Sequence, residues 1–232
     1  VDMSALAGAA PSFSGRQAVA GSLQRAHRGG ALNTRELLDI AAVLRGGPLR
    51  QEYGEGAERK KTCIDHLFRS LTANRFLEDK ITGSIVGEDE IADAASPELA
   101  SIRRHIRATA SKVRDILNKL LSSNQAKYLQ EAIITQRNDR FVVPVKSEHK
   151  NDVPGLVHDV SSSGATFFIE PMGVVSNNEL KELQAREEKE IERILAELSA
   201  ECAQFKDDIT QDYDLLILLD VIFARAKLAY RM

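Results

Sequence analysis

Basic side chains are concentrated in one short segment of the sequence, where they could hold the phosphate groups of a nucleic acid. The cations and the histidine of this segment are Arg137, Arg140, Lys146, His149 and Lys150. Only Asp139 and Glu148 oppose the four positive charges, so residues 137–150 carry a net charge of +2. Lysine and arginine bind a phosphate backbone by displacing its condensed counterions. We therefore predict that these five side chains face phosphate groups.

A run of small polar residues follows and could add neutral donors to the same site. Ser161, Ser162 and Ser163 precede Gly164, a sequence that is typical of a turn. Hydroxyls and backbone amides position phosphates without reading the base sequence, so the three serines are further candidate donors. The alternative interpretation is a solvated loop whose charges keep an exposed sheet edge from aggregating. Composition alone does not choose between these interpretations.

The residue types of a hydrolytic triad are also present, as His158, Asp159 and Ser161. Adjacent residues of a β-strand point to opposite faces of the sheet. His158 and Asp159 therefore cannot easily pair if this stretch is a strand. We predict no catalytic residue in this chain.

No motif for a nucleotide or a metal ion is complete in the sequence. The nearest approach to a phosphate-binding P-loop runs from Gly54 to Thr62, but its spacing differs from G-x-x-x-x-G-K-[ST]. Glu55 and Glu58 would also repel a phosphate group. The histidines lack the paired spacing of metal ligands. We predict that these residues hold neither a cofactor nor a metal ion.

The elements that must position the basic residues are short β-strands between two long helical stretches. The segment Gln136 to Pro171 combines period-2 alternation with turn residues, and it is the only β pattern that we find. Arg140 and Lys146 are predicted to share one face of a strand. The opposite face is predicted to supply the core of the sheet through Phe141, Val143, Val145, Phe167 and Ile169.

The helical stretches on both sides are unusually long. Neither glycine nor proline follows Gly173, and Ser176 and Glu179 have the spacing of a capping box, which predicts one continuous helix toward the C-terminus. Pro97 is predicted to open the other long helix. A heptad seam follows the C-terminal helix through Ile191, Leu195, Leu198, Cys202, Phe205 and Ile209. Two such helices most simply pack as an antiparallel pair that carries the β segment at its tip.

The sequence thereby divides into three parts. Residues 1–95 form a helical region, residues 96–131 and 175–232 supply the two long helices, and residues 132–174 form the β-rich insertion. The helices and the turn predicted in the first part cover residues 16–27, 35–44, 58–73 and 83–87. The predicted fold class is mainly α with a small antiparallel β insertion.

Composition is typical of a soluble and mainly helical protein. The 232 residues are 43% hydrophobic and 28% charged, with a formal net charge of −3, which excludes a disordered chain and a uniformly basic nucleic-acid binder. Cys63 and Cys202 lack C-x-x-C spacing, so both are predicted to be reduced thiols of a cytoplasmic protein. The apolar run from Leu215 to Leu219 is too short to cross a membrane. The chain does not begin with Met and stops within a predicted helix, which we interpret as a fragment of a larger protein.

Four stretches of the sequence closely resemble the second bacterial MutS family, MutS-two. The β segment carries the first two, which read RNDRFVVPVK at residues 137–146 and VHDVSSSGAT followed by FIEP within residues 157–171. The C-terminal helix carries the others, EEKEIERIL at residues 187–195 and LDVIFA at residues 219–224. The resemblance covers nearly the whole chain and is most specific between residues 133 and 200.

The resemblance implies the core, lever and clamp region that precedes the ATPase in this family. It implies a full-length homodimer with an ABC-type ATPase, which uses ATP and Mg²⁺, and an Smr domain linked to nuclease activity. Such proteins bind branched DNA and restrain recombination, and some members recognise collided ribosomes. Because this sequence contains neither a P-loop nor an Smr segment, we expect no ATPase or nuclease chemistry from its residues.

The sequence leaves two functional hypotheses. In the first, the chain is a non-catalytic clamp and lever that grips branched or duplex DNA, or a stalled ribosome. DNA and ribosomal RNA present phosphates to the same cations, so the sequence does not choose between them. In the second, the chain is a coiled-coil dimerisation scaffold without nucleic-acid contact, which the heptad seam and the acidic C-terminal helix both allow.

Overall fold

The computed structural model describes residues 13–46, 65–71, 74–175 and 179–231. The chain divides into two compact units. The first unit comprises residues 1–99 and 190–232, and the second comprises residues 100–189. The near-P-loop at residues 54–62, Cys63 and the capping residue Ser176 lie outside the described residues.

Four helices open the described part of the first unit: α1 (Phe13–His27), α2 (Thr34–Arg45), α3 (Asp65–Ser70) and α4 (Arg75–Ser84). The predicted helices at residues 16–27 and 35–44 are thereby confirmed, whereas most of the one predicted at residues 58–73 lies outside the described residues. Asn33 caps α2, because its side chain accepts a hydrogen bond from the backbone of Glu36 while the Glu36 carboxylate accepts one from the backbone of Asn33.

A second, smaller sheet follows α4, so the prediction of a single β region is wrong. Strands β1 (Ile85–Gly87) and β2 (Glu90–Ile91) pair in an antiparallel hairpin where the sequence predicted only a turn at residues 83–87. Gly83 instead lies within α4. Strands of three and two residues are too short to produce a readable alternation, which explains the omission.

The long helices are α5 (Pro97–Leu121), α7 (Glu179–Gln204) and α8 (Lys206–Arg231), and a single helical turn, α6 (Met172–Val175), precedes α7. The prediction of one continuous C-terminal helix is wrong, because the helix is interrupted at Phe205. The Phe205 amide donates to the Cys202 carbonyl at 3.1 Å, an i to i−3 bond that tightens the last turn of α7. Among the described residues, no helix has the length and apolar character needed to cross a membrane.

The predicted heptad seam is largely buried in the core of the first unit. Leu198, Cys202 and Ile209 are fully buried there beside residues of α1, α2 and α4, and Ile191 and Leu195 pack against them. Phe205, at the helix break, remains 37% exposed. Burial raises the pKa of the Cys202 thiol to about 12, so the thiol is neutral at physiological pH. Most of the seam is therefore used within the chain and not for pairing with a partner helix.

The start of α5 is joined to α7 by a buried polar contact. The hydroxyl of Ser96 accepts a hydrogen bond from the Leu99 amide at 3.0 Å, which caps α5 just before Pro97, as the sequence predicted. The same hydroxyl donates to Glu190 Oε1 at 2.7 Å. Arg193, one turn along α7, donates to both oxygens of Glu190. These bonds, with Arg193 first, lower the pKa of Glu190 to about 2.

We expect Glu190 to make the first unit acid-sensitive. Its folded pKa lies below the ordinary value of 4.5, so its contribution is complete above about pH 4.5 and is lost as the pH falls toward 2. Glu190→Gln should lower the free energy of unfolding at pH 7 by about 1–2 kcal/mol, a range reduced because Arg193 is half exposed to screening solvent. Denaturant unfolding between pH 2 and pH 7 measures this difference.

The matched control for that measurement is Glu192→Gln, an exposed glutamate on the same helix. The Glu192→Gln variant should follow the wild-type pH profile throughout. If Glu190→Gln lowers the free energy of unfolding by the same amount at pH 2.5 and at pH 7, the assignment is wrong. A neutral Glu190 would then stabilise the protein as much as a charged one.

The second unit contains a four-stranded antiparallel sheet with the order β3-β4-β6-β5. The strands are β3 (Thr135–Arg137), β4 (Arg140–Lys146), β5 (Gly155–Val160) and β6 (Thr166–Pro171). Val143 pairs with Ile169 and Lys146 with Thr166, so β4 and β6 form its centre while β3 and β5 are its edges. The fold class, mainly α with a small antiparallel β insertion, is confirmed.

One face of this sheet packs against the end of α5. The buried cluster joins Val113 and Leu117 of α5 to Val143, Val145 and Ile169 of the sheet. Phe141 and Phe167 are partly buried against the same cluster, so the predicted core of the sheet is confirmed. Alternation could predict this face because the side chains that point toward a helix must all be apolar.

Candidate nucleic-acid interface

A tight hairpin turn brings the first two candidate arginines together. Asn138 and Asp139 have φ values of 50° and 58°, and they connect Arg137 directly to its cross-strand partner Arg140. Positive φ at both central residues is the geometry of a type I′ turn, which asparagine and aspartate tolerate better than most residues. Arg137 and Arg140 are thereby placed side by side on one face of the hairpin.

Arg140 is held by a buried carboxylate. Its Nη1 lies 3.0 Å from Glu170 Oε1, and the Glu170 side chain is only 1% exposed. The other oxygen of Glu170 lies 2.6 Å from His158 Nε2. Glu170 therefore connects β4 to β5 through a single carboxylate. A charge this well buried is tolerated only when it is paired, so we assign Arg140 a structural role in the sheet.

Arg137 also contacts residues of β5 and β6. Its Nε lies 3.3 Å from Asp159 Oδ2, and its guanidinium carbon lies 4.3 Å above the ring centre of Phe168. The Asn138 side chain donates to the His158 carbonyl at 3.2 Å. The β3–β4 hairpin therefore curls across the sheet to β5. Val142, on the face that the sequence assigned to Arg140 and Lys146, is fully buried.

His158, Asp159 and Ser161 do not bond to one another as a catalytic triad would. The expectation that His158 and Asp159 follow regular strand alternation is nevertheless wrong. A β-bulge at His158 breaks the alternation, because Val157 pairs with Ile169 and Asp159 already pairs with Phe168. The His158 side chain bonds to Glu170, and the Asp159 side chain bonds to Arg137. The two residues do not bond to each other. Ser161 Oγ bonds to Ser163 and to the Thr166 amide.

We call the group formed by Arg137, Arg140, His158, Asp159 and Glu170 the arginine end of the sheet. Its two arginines are matched by two carboxylates from β5 and β6, so the group has no excess of positive charge. The count of +2 for residues 137–150 omitted these acids because they are distant in sequence. The arginine end is therefore a poor site for a phosphate backbone.

The opposite end of β4 has a different character, and we call the group of Lys127, Tyr128, Lys146, His149 and Lys150 the lysine end. Lys146 Nζ donates to the Lys127 carbonyl at 3.3 Å. The His149 and Tyr128 rings lie 4.8 Å apart, and Lys150 Nζ lies 5.0 Å from the ring centre of Phe167. Within the described residues, none of the three ammonium groups has a carboxylate at salt-bridge distance.

Two acids lie near the lysine end, and neither forms a salt bridge with a lysine of the described residues. Asp152 Oδ2 lies 2.8 Å from His149 Nδ1. Glu148 is exposed, and its own backbone amide and the Ser147 hydroxyl hold its pKa below the ordinary value, so it is charged at physiological pH. Three lysines against two carboxylates leave the lysine end with a net positive charge.

The serine loop lies beside the lysine end. Lys146 pairs with Thr166, and the Ser147 amide donates to the Ala165 carbonyl at 3.0 Å, so the turn at residues 161–164 is adjacent to the end of β4. Ser162 and Ser163 are exposed, whereas the Ser161 hydroxyl already accepts from the Thr166 amide. The fold thus brings Lys146, His149 and Lys150 close to the serines, whereas Arg140 lies at the other end of β4 and Arg137 contacts Asp159, two residues before Ser161.

Sequence reasoning missed two residues of the lysine end, Lys127 and Tyr128. Both lie on the 3₁₀ turn Asn124–Tyr128 that follows α5. An isolated bridge between Leu129 and Val145 fixes this turn against β4. No local pattern marks Lys127 as a neighbour of Lys146, because the contact depends on how the chain returns from α5 to the sheet.

The fold and the two charged ends define a class of protein: a mainly helical chain with a small antiparallel sheet that has a lysine-rich surface at one end. Proteins named Endonuclease MutS2 match this chain closely. The match to the protein of Ruminiclostridium cellulolyticum is 47% identical over 90% of this chain, and that to the protein of Acetivibrio thermocellus is 45% identical over 94%. The Agathobacter rectalis protein is 46% identical over 94% of this chain.

The chain belongs to the MutS2 family, the family that the sequence motifs indicated. It spans 27–28% of the length of these three relatives. No protein-family model matches the chain.

Proposed function

We propose that this chain is a non-catalytic, nucleic-acid-gripping region of a MutS2 protein, and that it binds through the lysine end of its sheet. The observation that carries the proposal is that Lys127, Lys146 and Lys150 lie beside an exposed serine turn, and that none of the three lysines pairs with a carboxylate of the described residues. The relatives are named endonucleases, a function that is consistent with handling nucleic acid.

The chemistry of the lysine end suits a phosphate backbone and not a base edge. Ammonium groups on flexible stems displace condensed counterions from nearby phosphates wherever these lie. The exposed hydroxyls of Ser162 and Ser163 can donate to phosphate oxygens. Such contacts position a nucleic acid without reading its sequence, which is the behaviour expected of a clamp.

The structure of the site favours the lysine end over the arginine end as the contact surface. The Arg140 side chain is only 22% exposed, and a phosphate that drew its guanidinium away from Glu170 would leave a buried carboxylate with one partner fewer. Lys146 and Lys150 need to break only a hydrogen bond to a carbonyl and a cation–π contact, respectively. Both of these interactions are weaker than the pairing of a buried charge.

We further propose that the catalytic functions of the complete protein lie outside the residues of this chain. On this proposal, an ATPase that uses ATP and Mg²⁺ and an Smr-type nuclease act in a cytoplasmic homodimer, and this region holds the nucleic acid while the ATPase controls its grip. Branched DNA and the ribosomal RNA of a stalled ribosome are the two partners that we consider, because both present phosphates at high density.

Charge reversal at the lysine end should weaken nucleic-acid binding. We expect Lys146→Glu together with Lys150→Glu to lower the affinity for a DNA junction roughly tenfold to a hundredfold, and to reduce the slope of log affinity against log salt by about two units. Fluorescence anisotropy with a labelled junction, a matched duplex and purified ribosomes, each over a range of salt concentrations, provides the measurement. The partner with the steepest wild-type slope makes the most phosphate contacts.

The control is a double reversal of the same size on the acidic helix α7, Lys181→Glu with Lys189→Glu, where both side chains are exposed. This control should retain the wild-type salt slope. If both double variants bind equally well, the lysine end only keeps the sheet edge soluble, and the nucleic-acid proposal fails.

The scaffold hypothesis retains one supporting observation. Leu218, Val221 and Leu228 are 44%, 41% and 65% exposed and recur at helical spacing along α8, which provides an apolar strip on its surface. The heptad seam itself supports this hypothesis less, because it lies mostly in the core of the first unit. A scaffold without nucleic-acid contact would bind neither the labelled junction, the duplex nor the ribosomes, so the wild-type titration of the same experiment separates the two hypotheses.

A further inference from the structure

A groove of about 520 Å³ lies in the second unit between α5 and β3. Arg114 and Asn118 of α5 form one wall, and the rest of the lining comes from Ile134, Thr135, Gln136 and Phe141. Among the described residues, the lining contains one cation, two carboxamides and a hydroxyl, and no carboxylate. Neither end of the sheet described above contributes to it.

The side chains of the groove are arranged to donate hydrogen bonds. Arg114 lies with its guanidinium carbon 5.6 Å from the ring centre of Phe141, which holds the cation against an apolar surface. Thr135 Oγ1 accepts a hydrogen bond from Arg137 Nη1 at 3.2 Å, so its own proton is available to a ligand. The amide groups of Asn118 and Gln136 can each contribute a further donor.

The backbone of β3 adds a donor to the groove, while its acceptor there is already partly used. Arg137 and Arg140 flank a two-residue turn and therefore form the hydrogen-bonded pair that closes the hairpin. Hydrogen-bonded and non-bonded pairs alternate along an antiparallel ladder, so the N–H and C=O of Gln136 point to the free edge of the sheet. Arg137 Nη1 already donates to the Gln136 carbonyl at 2.8 Å. The Gln136 N–H is left facing the edge.

This asymmetry argues against a peptide as the ligand. An added β-strand needs alternating donors and acceptors along the edge to which it pairs, and the carbonyl that Gln136 would supply already accepts one hydrogen bond from Arg137, with which the strand would compete. An anion needs only donors. Up to five surround the groove: the Arg114 guanidinium, the Thr135 hydroxyl, two carboxamides and one backbone N–H. A phosphoryl group, with three terminal oxygens and up to two charges, can use more of them than a carboxylate can.

We propose that this groove is a phosphoryl-binding site, with Arg114 as its cation and the edge of β3 as its backbone donor. The volume leaves room for a sugar attached to the phosphate, since small-ligand sites in proteins span about 300–1,000 Å³. The phosphate can belong to a nucleic-acid strand or to a free mononucleotide. Phe141 and Lys146 are five residues apart on β4, about 17 Å, so the groove is separate from the lysine end.

Pyrophosphate is the probe that tests the site in the 232-residue chain. We expect its addition to shift the backbone amide resonances of Thr135 and Gln136 in a ¹⁵N correlation spectrum, and Arg114→Gln to weaken pyrophosphate binding about tenfold, the loss typical of one charge-assisted hydrogen bond. Arg104→Gln, which removes an exposed arginine from the same helix away from the groove, should leave binding unchanged. Titrations of thymidine monophosphate and oligothymidylate at equal phosphate concentration identify the source of the phosphate.

The outcomes separate this proposal from the lysine-end proposal. If oligothymidylate binds more tightly than the mononucleotide, the ligand of the groove is a nucleic-acid strand. If the two affinities are equal, the ligand is a free phosphate compound. Asn118→Asp retains Arg114 and adds a negative charge to the groove, so it should also weaken pyrophosphate binding. This second variant tests the site independently if Arg114→Gln fails to fold. Unchanged binding in both groove variants, or no amide shift at any pyrophosphate concentration, overturns the site. The Lys146 and Lys150 variant should bind pyrophosphate as wild type does.

Discussion

Arg140→Met should lower the free energy of unfolding by about 3 kcal/mol, because it leaves the buried Glu170 carboxylate without its cation. Removing one partner of a buried ion pair typically costs 3–5 kcal/mol. We expect the low end of this range, since the Arg140 side chain is 22% exposed and His158 remains as a second partner of Glu170. Urea unfolding monitored by circular dichroism measures the loss.

A double substitution distinguishes the buried charge from the lost packing. Arg140→Met combined with Glu170→Leu removes both charges, and the pair should be less destabilised than Arg140→Met alone, because no uncompensated carboxylate remains. Lys150→Met, at an exposed lysine of the opposite end, should change stability by less than about 0.5 kcal/mol. If Arg140→Met also stays within that limit, Glu170 does not depend on Arg140.

This result would overturn the sequence-based expectation for Arg140. The sequence placed Arg140 and Lys146 on the same strand face, as one continuous surface for phosphate. The two residues differ because Glu170 of β6 bonds to Arg140 and no described carboxylate bonds to Lys146. Glu170 lies 30 residues from Arg140 in sequence, so the pairing becomes visible only once the register of β4 and β6 is known.

Apolar periodicity could be read from the sequence where one side of an element faces a core. Phe141, Val143 and Val145 were assigned to the packed face because strands alternate, and the cluster with α5 confirms them. The same alternation failed at His158, where the β-bulge inserts one residue into β5 and the His158 and Asp159 side chains bond to Glu170 and Arg137, respectively. Alternation therefore predicts the face that each side chain occupies only as far as the next β-bulge.

Helix periodicity had a similar limit at Phe205. The seam from Ile191 to Ile209 fits a single rod, and no glycine or proline in the sequence marks an interruption. The break separates α7 from α8, and the buried residues Cys202 and Ile209 on its two sides both contribute to the core of the first unit. Tertiary packing can impose such a break, and local propensity does not record it.

Gly155→Ala should be strongly destabilising, because no space exists for a methyl group at the start of β5. A Cβ built on Gly155 would lie 2.1 Å from the Glu170 carbonyl oxygen and 2.7 Å from Ile169 Cγ2. The closest atom belongs to the backbone of the central strand β6, so rotation of a side chain cannot relieve the clash. Glycine in a strand often marks such a close approach of another backbone.

The cost follows from what must move. To admit a methyl group, β5 has to separate from β6 at the pair formed by Gly155 and Pro171, next to the Glu170 carboxylate that binds Arg140 and His158. Overpacking typically costs 1–3 kcal/mol, and we expect about 3 kcal/mol because the obstacle is backbone. Urea unfolding together with hydrogen exchange at the β5 and β6 amides measures both the loss and its location.

The same substitution at Gly21 serves as the matched control. Gly21 lies within α1, and a Cβ at this position would meet no atom within 4 Å. Gly21→Ala should therefore raise the free energy of unfolding by about 0.5–1 kcal/mol, because alanine loses less backbone entropy than glycine when a helix forms. A Gly155→Ala variant as stable as Gly21→Ala would mean that β5 can move away from β6 without loss. The Glu170 contacts to Arg140 and His158 would then not depend on close packing of these two strands.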